Sequence, residues 1–428
     1  MSPRRLLVVT YYYPPDRSVG GHRWAAMVRY LRAEGHDVTI LTTRMTGRLA
    51  DDAEQQVVRA WDLQASPPVR RLLGRAPLED AASGKGGGAV GTTPAPRWMT
   101  HGVVPDANLV AWVPAAARAA RRIIRERQID CVITSAPPDS VATVPLLLGR
   151  ERPAWIADFR DGWRFEPLRG EWPTRVQARL DARVERRVTS TAEVVIGATR
   201  PIAEDFATRS GANSVHVPNA WDPGLDATVA ATAPVPLDPQ MFNLVHTGQL
   251  SGPRGRDPGP LFEAMRRIRD RDVPGADRLR LVLVGGLDAR EEAELKRLDV
   301  REMVQVAGQQ SHLCAVATQR AADALALLTS PGHRSQATGK LYEYLAAERP
   351  ILELGVDNEA ARIIVETQTG VAVPPRDVDA IAEALARLLS ATSGYEPRRA
   401  ALDAYRYPAP SDCVGDLVED AIARRTHR

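Results

Sequence analysis

Residues 338–350, TGKLYEYLAAERP, place a lysine and a glutamate three residues apart, where both could contact a ligand. Thr338 is a typical N-cap and Pro350 stands where a helix would already have ended, so the stretch predicts one short helix. Lys340 and Glu343 are three residues apart and share one side of that helix. A lysine in the first turn opposes the helix dipole, and an anion bound there would offset this cost. The alternative is a solvated ion pair between the two side chains.

A second group of charged residues follows a predicted strand in WIADFRDGW, residues 155–163. Asp158, Arg160 and Asp161 stand at the carboxyl end of this strand, which is where ligands bind in open parallel sheets. The pattern therefore predicts side chains that contact a ligand. The alternative is an ion pair between Arg160 and either aspartate that holds the loop in place.

The loop after the first predicted strand, YYYPPDRSVGGHRW, offers backbone groups. Gly20 and Gly21 open the next helix, so backbone N–H groups there could approach an anion closely. The alternative for the paired glycines is a plain tight turn. His22 stands beside this loop, and no Ser-His-Asp or Cys-His order is visible elsewhere in the chain.

Other motifs argue against metals and redox cofactors. Asp377-Val-Asp379 has the Asp-X-Asp form that some sugar transferases use for a metal, but it precedes an amphipathic run and is interpreted as a helix cap with a first-turn acid. GKGGG, at 84–88, lies in a Gly- and Ala-rich stretch at 79–97 and lacks the Ser or Thr of a phosphate loop, so a mobile loop is predicted. Neither half has GxGxxG after its first strand. We therefore expect no metal and no nicotinamide or flavin cofactor.

The composition is that of a globular protein with more than one domain. The 428 residues are 44% apolar and 25% charged, enough for two or three domains with sizeable cores. A net charge of +3 gives no indication of nucleic-acid binding. The apolar run near the N-terminus is too short for a signal peptide and predicts a buried strand, and no stretch is long enough to span a membrane. The widely separated cysteines fit a reducing cytoplasm rather than a disulfide framework or a CxxC metal site; they are Cys131, Cys314 and Cys413.

Strands and helices alternate along both halves of the chain. Apolar runs such as LLVVTY, DVTILTT and AWIADF are separated by helical patterns, which indicates a parallel sheet. A Pro- and Ala-rich stretch then predicts a linker, after which FNLVHTG starts a second series. The predicted fold class is α/β, with two doubly wound, Rossmann-like domains facing a central cleft. The predicted boundaries are 1–216 for the first domain, 217–239 for the linker, 240–405 for the second domain and 406–428 for a C-terminal helix that returns to the first.

Seven motifs occur in the order found in bacterial family 4 glycosyltransferases of the GT-B fold: YYYPPDRSVGGHR, SAPPDSVA, WIADFRDGW, VPNAWDP, HTGQL, GKLYEYLAAERPIL and GVAVPPRDVDAIAEAL. The resemblance extends from Leu6 to about Leu389 and is to members with the DFRD pattern. It implies the GT-B fold and a hexosyltransferase-type activity (EC 2.4) that uses a nucleotide-diphosphate-sugar, with retention and without a bound metal. The nucleotide sugar would be a co-substrate, and no cofactor is implied.

The resemblance also assigns roles to residues of the 338–350 helix. In the family, the lysine of this helix contacts the donor diphosphate and the glutamate binds ribose hydroxyls. Lys340 and Glu343 match these two positions. The docked diphosphate would then be stabilised by both the lysine and the helix dipole. The further positions expected at the donor are Thr338, Gly339, Gly20 and Gly21.

A basic residue after the first strand of the second half completes the diphosphate clamp in the family. Arg256, in GPRGRDP, matches it, and Arg254 is the alternative. Without a metal, these cations would neutralise the leaving group as its charge develops. The residues expected to act in catalysis are therefore Asp161, Arg256 and Lys340.

The chain departs from the family pattern where the sugar would bind. Ser335 stands where a glutamate is common, and ADFRD stands where a histidine is often found. Asp161 of this pattern would help to orient the acceptor or the sugar, and Ala220 replaces the usual glycine of PNG. The residues expected on the acceptor and sugar side are His22, Asp158, Arg160 and Ser335.

Two other functions are open on the same fold. A nucleotide-sugar 2-epimerase would release free epimerised nucleotide sugar, whereas a catalytically silent partner would bind the nucleotide sugar without transfer. Ser335 supports the silent partner. For the transferase, the acceptor is expected to be a saccharide, a lipid-linked sugar or a small molecule, with polysaccharide biosynthesis the commonest role of similar enzymes.

One basic stretch bears on localisation. ARAARRIIRER, at 117–127, predicts an amphipathic surface helix, and the alternative is contact with an anionic membrane surface. We expect a cytoplasmic protein without a nucleic-acid partner, with peripheral contact at the inner face of the membrane as the alternative.

Overall fold

A computed structural model of the chain describes residues 2–16, 19–66, 68, 102–167, 170–252, 255–390 and 395–427. The chain forms two compact units. The first consists of Met1–Pro218 and Pro408–Arg428, and the second of Asn219–Tyr407. The predicted loop at 79–97 and the alternative clamp residue Arg254 lie outside the described residues.

The first unit contains a sheet of seven strands, all parallel. Its inner strands are continuous apolar runs with both faces buried, as is usual when helices cover both sides of a parallel sheet. In chain order the strands are β1 (Arg5–Thr10), β2 (Asp37–Thr43), β3 (Val57–Ala60), β4 (Cys131–Ala136), β5 (Ala154–Phe159), β6 (Val194–Gly197) and β7 (Ser214–His216).

The strand order of this sheet is β3-β2-β1-β4-β5-β6-β7, so the chain moves outward in one direction and then returns to the middle to continue in the other. The registers of β1 with β4 and of β4 with β5 place Thr10 beside Ser135 and Ser135 beside Asp158. Three loops therefore leave the same edge of the sheet next to one another, as expected at the topological switch point of a doubly wound sheet.

The second unit contains a six-stranded parallel sheet with the order β10-β9-β8-β11-β12-β13, again with its first strand in the middle. The predicted α/β class with two doubly wound sheets is thus confirmed. In chain order its strands are β8 (Phe242–Thr247), β9 (Leu279–Val284), β10 (Val304–Val306), β11 (Ala324–Leu328), β12 (Ile351–Leu354) and β13 (Gly370–Val373).

Helices alternate with the strands in both units, as the sequence pattern predicts. A long 3₁₀ segment, Asp139–Glu151, follows β4. The described α-helices are α1 (Val19–Ala33), α2 (Asn108–Ala111), α3 (Val113–Arg127), α4 (Arg175–Thr191), α5 (Arg200–Ser210), α6 (Asp226–Ala230), α7 (Gly259–Asp270), α8 (Ala289–Arg297), α9 (His312–Ala321), α10 (Gly339–Ala347), α11 (Glu359–Thr367), α12 (Val378–Leu389), α13 (Arg399–Leu402) and α14 (Ala409–Thr426).

Of the predicted linker at 217–239, residues 219–239 are part of the second unit. They include α6, and Val235 is buried in a core cluster of that unit. The backbone N–H of Val235 donates to Thr318 Oγ1 of α9 at 3.0 Å. The Pro-rich composition therefore belongs to an irregular segment that packs against the unit. Helix α14, at the end of the chain, belongs to the first unit.

Two sequence interpretations of local structure can be compared with the helices. Asp377 is the N-cap of α12, and its side chain accepts a hydrogen bond from the N–H of Ala380 at 3.0 Å, so the cap interpretation of the Asp-X-Asp motif is confirmed. In α3, Ile123 and Ile124 are buried in the core, so this helix is amphipathic with its apolar side turned inward. None of the helices in the described ranges is long and apolar enough to cross a membrane.

Candidate functional site

The candidate site of the second unit lies where α10 begins, beside the carboxyl end of β8. Thr338 occupies the predicted N-cap position with extended backbone, but its side chain makes no capping hydrogen bond. Its Oγ1 is buried and has no hydrogen-bond partner among the described residues. The prediction of the cap position was therefore right and that of the capping bond wrong, and no side-chain cap occupies the first-turn N–H groups of α10.

The side chain of Lys340 packs against the backbone at the end of β8. A Cβ at Gly248 would lie 2.7 Å from Lys340 Nζ, and the φ of Gly248 is +89°, which a side chain would strain. Gly285, after β9, packs closely against the backbone of Gly248, because a Cβ at position 285 would lie 2.3 Å from the carbonyl oxygen of Gly248. The two glycines thus leave the room that lets the ammonium group reach the edge of the sheet.

Arg256 lies in the loop that follows β8. Its Nη2 donates to the carbonyl oxygen of Ser251 at 2.7 Å, and its guanidinium lies so close to Gly252 that a Cβ there would be 2.6 Å from Nη2. The Nε of Arg256 is buried and has no partner among the described residues. Burial lowers the pKa of Arg256, and the carboxylate of Glu291 opposes this effect.

The two cations of the site act on each other. Burial and, to a smaller extent, the positive charge of Arg256 lower the pKa of Lys340 to about 8, against the opposing effect of Glu343. Across the described ranges Lys340 takes part in no salt bridge. Two like charges that are partly buried side by side raise the free energy of the ligand-free protein, and an anion between them would lower it. This arrangement fits a phosphate or diphosphate.

His246, the penultimate residue of β8, adds no positive charge to the site. Its Nδ1 is 2.8 Å from the carbonyl oxygen of Ala326, and its Nε2 is 3.2 Å from that of Gln249. Burial, followed by the charge of Lys340, lowers its pKa to about 3, so the imidazole is neutral at physiological pH. It therefore fixes the backbone next to the lysine. His246 was not predicted from the sequence, although a histidine at the carboxyl end of an apolar strand is a candidate site residue.

Glu343 is held by two residues of α9. His312 Nε2 donates to its Oε1 at 2.8 Å, and Gln319 Nε2 donates to its Oε2 at 3.0 Å. The hydrogen bond to Glu343 raises the pKa of His312. An ionised carboxylate only accepts hydrogen bonds, and these two donors fix the orientation of the Glu343 carboxylate. His312 and Gln319 were missed by sequence reasoning; their seven-residue spacing, which places them on one helix face, could have pointed to them.

Ser335 is placed in the loop between β11 and α10. The carbonyl oxygen of its neighbour Gln336 accepts from the N–H of Ala360, and Gln336 Oε1 accepts from the N–H of Ser330 at 2.6 Å. The loop is thus fixed to the first turn of α11. These two hydrogen bonds of Gln336 therefore hold in place the loop that carries Ser335.

In the first unit, Asp158 is a buried structural residue. Its carboxylate accepts from Arg23 Nη2 at 3.1 Å, from Trp24 Nε1 at 2.8 Å and from Ser135 Oγ at 3.0 Å. The predicted ligand contact of Asp158 is therefore wrong, and the ion-pair alternative holds with a different partner. Arg23 replaces Arg160 because α1 carries it against the carboxyl end of β5. Arg23 was missed by sequence reasoning.

Arg160 turns toward the end of β4. Its Nε donates to the carbonyl oxygen of Ala136 at 3.1 Å, and its Nη2 donates to that of Pro137 at 2.6 Å. Burial lowers its pKa, against the opposing effects of the Asp158 and Asp161 carboxylates. These bonds fix the turn that carries Asp161. Asp161 itself is half-buried at the carboxyl edge of the sheet, where a ligand could reach it.

The glycine pair lies inside α1, in its first turn, and His22 is exposed in the same turn. One turn further, Arg23 and Trp24 meet Asp158. The structure thus brings the predicted residues together in two groups, each within its own unit. The first unit holds Gly20, Gly21, His22, Asp158, Arg160 and Asp161, and the second holds Arg256, Ser335, Thr338, Gly339, Lys340 and Glu343.

Family models match most of both units. Residues 20–220 match the Glycosyl transferase 4-like domain, and residues 242–391 match the domain Glycosyl transferases group 1. Both halves of the chain carry glycosyltransferase domains. The matches support a family 4-like glycosyltransferase (EC 2.4), and such a protein binds a nucleotide-sugar donor and a sugar acceptor. No curated protein sequence matches the chain significantly.

Solved structures with the same fold extend over the whole chain. Sucrose-phosphate synthase from Thermosynechococcus elongatus is 17% identical, with a TM-score of 0.66 over 98% of this chain and 99% of that chain. A glycosyltransferase from Rickettsia africae is 13% identical, with a TM-score of 0.62 over 99% of both chains. A putative UDP-N-acetylglucosamine 2-epimerase from Listeria monocytogenes is 11% identical, with a TM-score of 0.56 over 98% of this chain and 96% of that chain. At these identities the comparisons show the GT-B fold, which the glycosyltransferase and the epimerase share.

Replacing Asp158 by asparagine should destabilise the first unit, because the buried Arg23 would keep its charge and lose the carboxylate that lies 3.1 Å from its Nη2. Breaking a buried ion pair from one side costs roughly 3–5 kcal/mol, and the amide oxygen can still accept from Trp24 and Ser135. We therefore expect a loss of about 2–4 kcal/mol, measured by urea unfolding followed through tryptophan fluorescence.

The matched control for this variant is Asp161→Asn, which changes the same functional group three residues away at a half-buried position. Its effect on stability should stay within about 0.5 kcal/mol. An Asp158→Asn protein as stable as the parent, or an equal loss in both variants, would contradict the structural role of Asp158.

Proposed function

We propose that this protein transfers a hexosyl group from a nucleotide-diphosphate-sugar to a saccharide, lipid-linked or small-molecule acceptor, with retention and without a metal. The observation that carries the proposal is the pair of partly buried cations, Lys340 and Arg256, beside the carboxylate of Glu343 in the second unit. We place the protein in the DFRD-containing subgroup of bacterial family 4 enzymes, in the cytoplasm, with polysaccharide biosynthesis as the process.

The two cations suit the leaving group of such a reaction. When the bond from the sugar to the diphosphate breaks, negative charge grows on the diphosphate, and groups already in place stabilise that charge without reorganising. Lys340 stands in the first turn of α10, so the helix dipole acts in the same direction as the two side chains. Lys340 and Arg256 therefore bind the donor and also lower the barrier to its cleavage.

Glu343 is proposed to accept hydrogen bonds from the ribose hydroxyls of the donor. Its two carboxylate oxygens are oriented by His312 and Gln319, so that the remaining acceptor positions have a fixed direction. Thr338 and Gly339 bring the first-turn N–H groups of α10 to the diphosphate. The ligand thus contacts one short helix over two turns.

Asp161 is proposed to act on the acceptor or on the transferred sugar. Its carboxylate is half-buried, whereas that of Asp158, in the same DFRD turn, is fully buried and accepts hydrogen bonds from Arg23, Trp24 and Ser135. Arg160 and His22 belong to the same edge of the first unit, and Arg160 holds the turn through backbone carbonyls. The glycine pair of α1 supplies backbone N–H groups to the ligand.

The fold also hosts 2-epimerases, and Ser335 in place of the usual glutamate favours a silent binding partner. One incubation separates the three functions: the nucleotide sugar with the largest thermal shift in a panel is incubated with the protein and a broad set of acceptors. Transfer yields glycosylated acceptor and nucleoside diphosphate. Free epimerised nucleotide sugar would identify an epimerase, and an unchanged nucleotide sugar that still binds would identify the silent partner.

The affinity for a nucleoside diphosphate should fall as the pH rises through about 8, because free Lys340 has a pKa of about 8 and the bound anion raises it. Below this pH the ammonium group is charged in both states and affinity is constant; above it, affinity falls by up to about tenfold per pH unit. Isothermal calorimetry from pH 6.5 to about 9.5 measures the profile.

Two variants separate the lysine from other titrating groups. Lys340→Arg keeps its charge and should show no alkaline decline, whereas Lys340→Met should bind at least about tenfold more weakly at pH 7. The methionine variant should also be more stable than the parent without ligand, because it removes a partly buried charge next to Arg256. Equal pH profiles for lysine and arginine would remove Lys340 from the diphosphate site.

Transfer should persist in excess chelator, because Arg256 and Lys340 supply the positive charge that a metal would otherwise provide. Within the described ranges, no group of three or more His, Cys, Asp or Glu side chains could hold a metal ion. Steady-state rates before and after chelation, with and without added Mg²⁺ or Mn²⁺, measure the effect. A rate that is lost with chelator and restored by either metal would overturn this part of the proposal.

Asp161→Asn should lower the turnover number by about tenfold or more while leaving nucleoside diphosphate affinity unchanged, because an interaction made in the transition state lowers the rate without weakening ground-state binding. Asp161 belongs to the first unit and the cations to the second, so the substitution leaves the cation pair intact. Kinetics and calorimetry on the same preparation measure both quantities.

The control is Asp130→Asn, which removes a carboxylate just before β4, at the opposite end of that strand from the DFRD turn. It should leave the turnover number unchanged. Near-normal turnover of Asp161→Asn would return Asp161 to a structural role.

A further inference from the structure

Helix α4 presents an unusual face to solvent. At 100° per residue, its exposed positions fall within an arc of roughly 140°. The two aliphatic residues among them, Val176 and Leu180, are 63% and 45% exposed. The others are Ser190 and five arginines: Arg175, Arg179, Arg183, Arg186 and Arg187.

The acidic residues of α4 are on its opposite side. Asp181 and Glu185 are fully buried, where Asp181 Oδ1 accepts from Trp163 Nε1 at 3.0 Å and Glu185 accepts two hydrogen bonds from Arg209. They are therefore taken up by the interior of the unit. In the part of the chain that the structure describes, none of the five outer arginines takes part in a salt bridge. The outer face thus carries charge of a single sign.

The two exposed aliphatic residues distinguish α4 from the other basic helix of the unit. In α3, Ile123 and Ile124 are 3% and 8% exposed, and Arg125 pairs with Glu151. The sequence indicated α3 as the candidate for membrane contact, but its aliphatic residues pack in the core of the unit. In α4 the aliphatic residues stand among the arginines, where they have no core to pack against.

We propose that the outer face of α4 docks on the surface of an anionic lipid bilayer. Lipid phosphates complement five unpaired guanidinium groups, and Val176 and Leu180 can enter the boundary between headgroups and acyl chains when the helix lies in the plane of the membrane. A soluble polyanion such as a nucleic acid would use the charges and leave the aliphatic residues in water. The inference goes beyond the transfer reaction and does not depend on it.

The test uses the full chain and sedimentation with vesicles of phosphatidylcholine, with or without phosphatidylglycerol. The charge variant is Arg179→Gln/Arg183→Gln/Arg187→Gln, and the aliphatic variant is Val176→Ser/Leu180→Ser. Two controls match them. Arg118→Gln/Arg122→Gln/Arg125→Gln removes three charges from α3 of the same unit, and Val365→Ser changes an aliphatic residue of α11 that is 65% exposed. Retention on heparin is measured for every protein.

The parent should bind vesicles that contain phosphatidylglycerol and ignore pure phosphatidylcholine. An arginine near an anionic surface contributes roughly fivefold to affinity, so the charge variant should bind about a hundredfold more weakly. The aliphatic variant should lose roughly tenfold in vesicle binding without any change in heparin retention, because heparin has no apolar phase. Both controls should bind vesicles as the parent does.

Three results would overturn the proposal. The first is a parent that does not discriminate between the two kinds of vesicle. The second is an equal loss of vesicle binding in the α3 control, which would make the effect one of total charge. The third is unchanged vesicle binding in the aliphatic variant together with parallel losses of vesicle and heparin binding in the charge variant, which would identify a site for a soluble polyanion. Thermal midpoints like that of the parent ensure that each loss reports on binding.

Discussion

The site of the second unit depends on keeping Lys340 and Arg256 side by side although their charges repel. The lysine packs against Gly248, whose positive φ disfavours any other residue, and the guanidinium packs against Gly252, where a Cβ would displace it. Neutral His246, whose single N–H donates to one of the two carbonyl oxygens next to its ring, fixes the strand end without adding to the repulsion. The free energy spent on this arrangement is recovered when an anion binds.

In the first unit, buried charges of opposite sign are paired with each other. Asp158 is neutralised by Arg23, and Glu193 is neutralised by Arg152 at 2.7 Å. The Asp158–Arg23 pair stabilises the carboxyl edge of the sheet, next to the turn that carries Asp161, whereas the Glu193–Arg152 pair lies at the amino ends of β5 and β6. In the second unit, the positive charges of Lys340 and Arg256 are not balanced in this way, whereas in the first unit the buried charges are paired near the half-buried carboxylate of Asp161.

The alternation of strands and helices predicted the fold, because both sheets are parallel and their strands are continuous apolar runs. The site residues around Lys340 could be predicted because they lie within one short helix, a few residues apart in sequence. The partners of Glu343 and Asp158 could not, since Gln319 is 24 residues from Glu343 and Arg23 is 135 residues from Asp158. Arg160 lies within two residues of two aspartates in sequence, and this proximity favoured the wrong ion pair. Its side chain instead meets the carbonyl groups left open at the end of β4.

The lowered pKa of Lys340 also has a chemical consequence. The chain has 56 Lys and Arg residues in total, and its lysines are at positions 85, 296 and 340 alone. An amine with a pKa of about 8 is a free nucleophile in a substantial fraction of molecules at mildly alkaline pH, whereas guanidinium groups stay protonated. The cation pair of the second unit therefore contains a reactive group that an acylating or aldehyde reagent can modify in preference to the abundant arginines. A covalent probe attached there would report occupancy of the site directly, since a bound diphosphate both covers the amine and keeps it protonated.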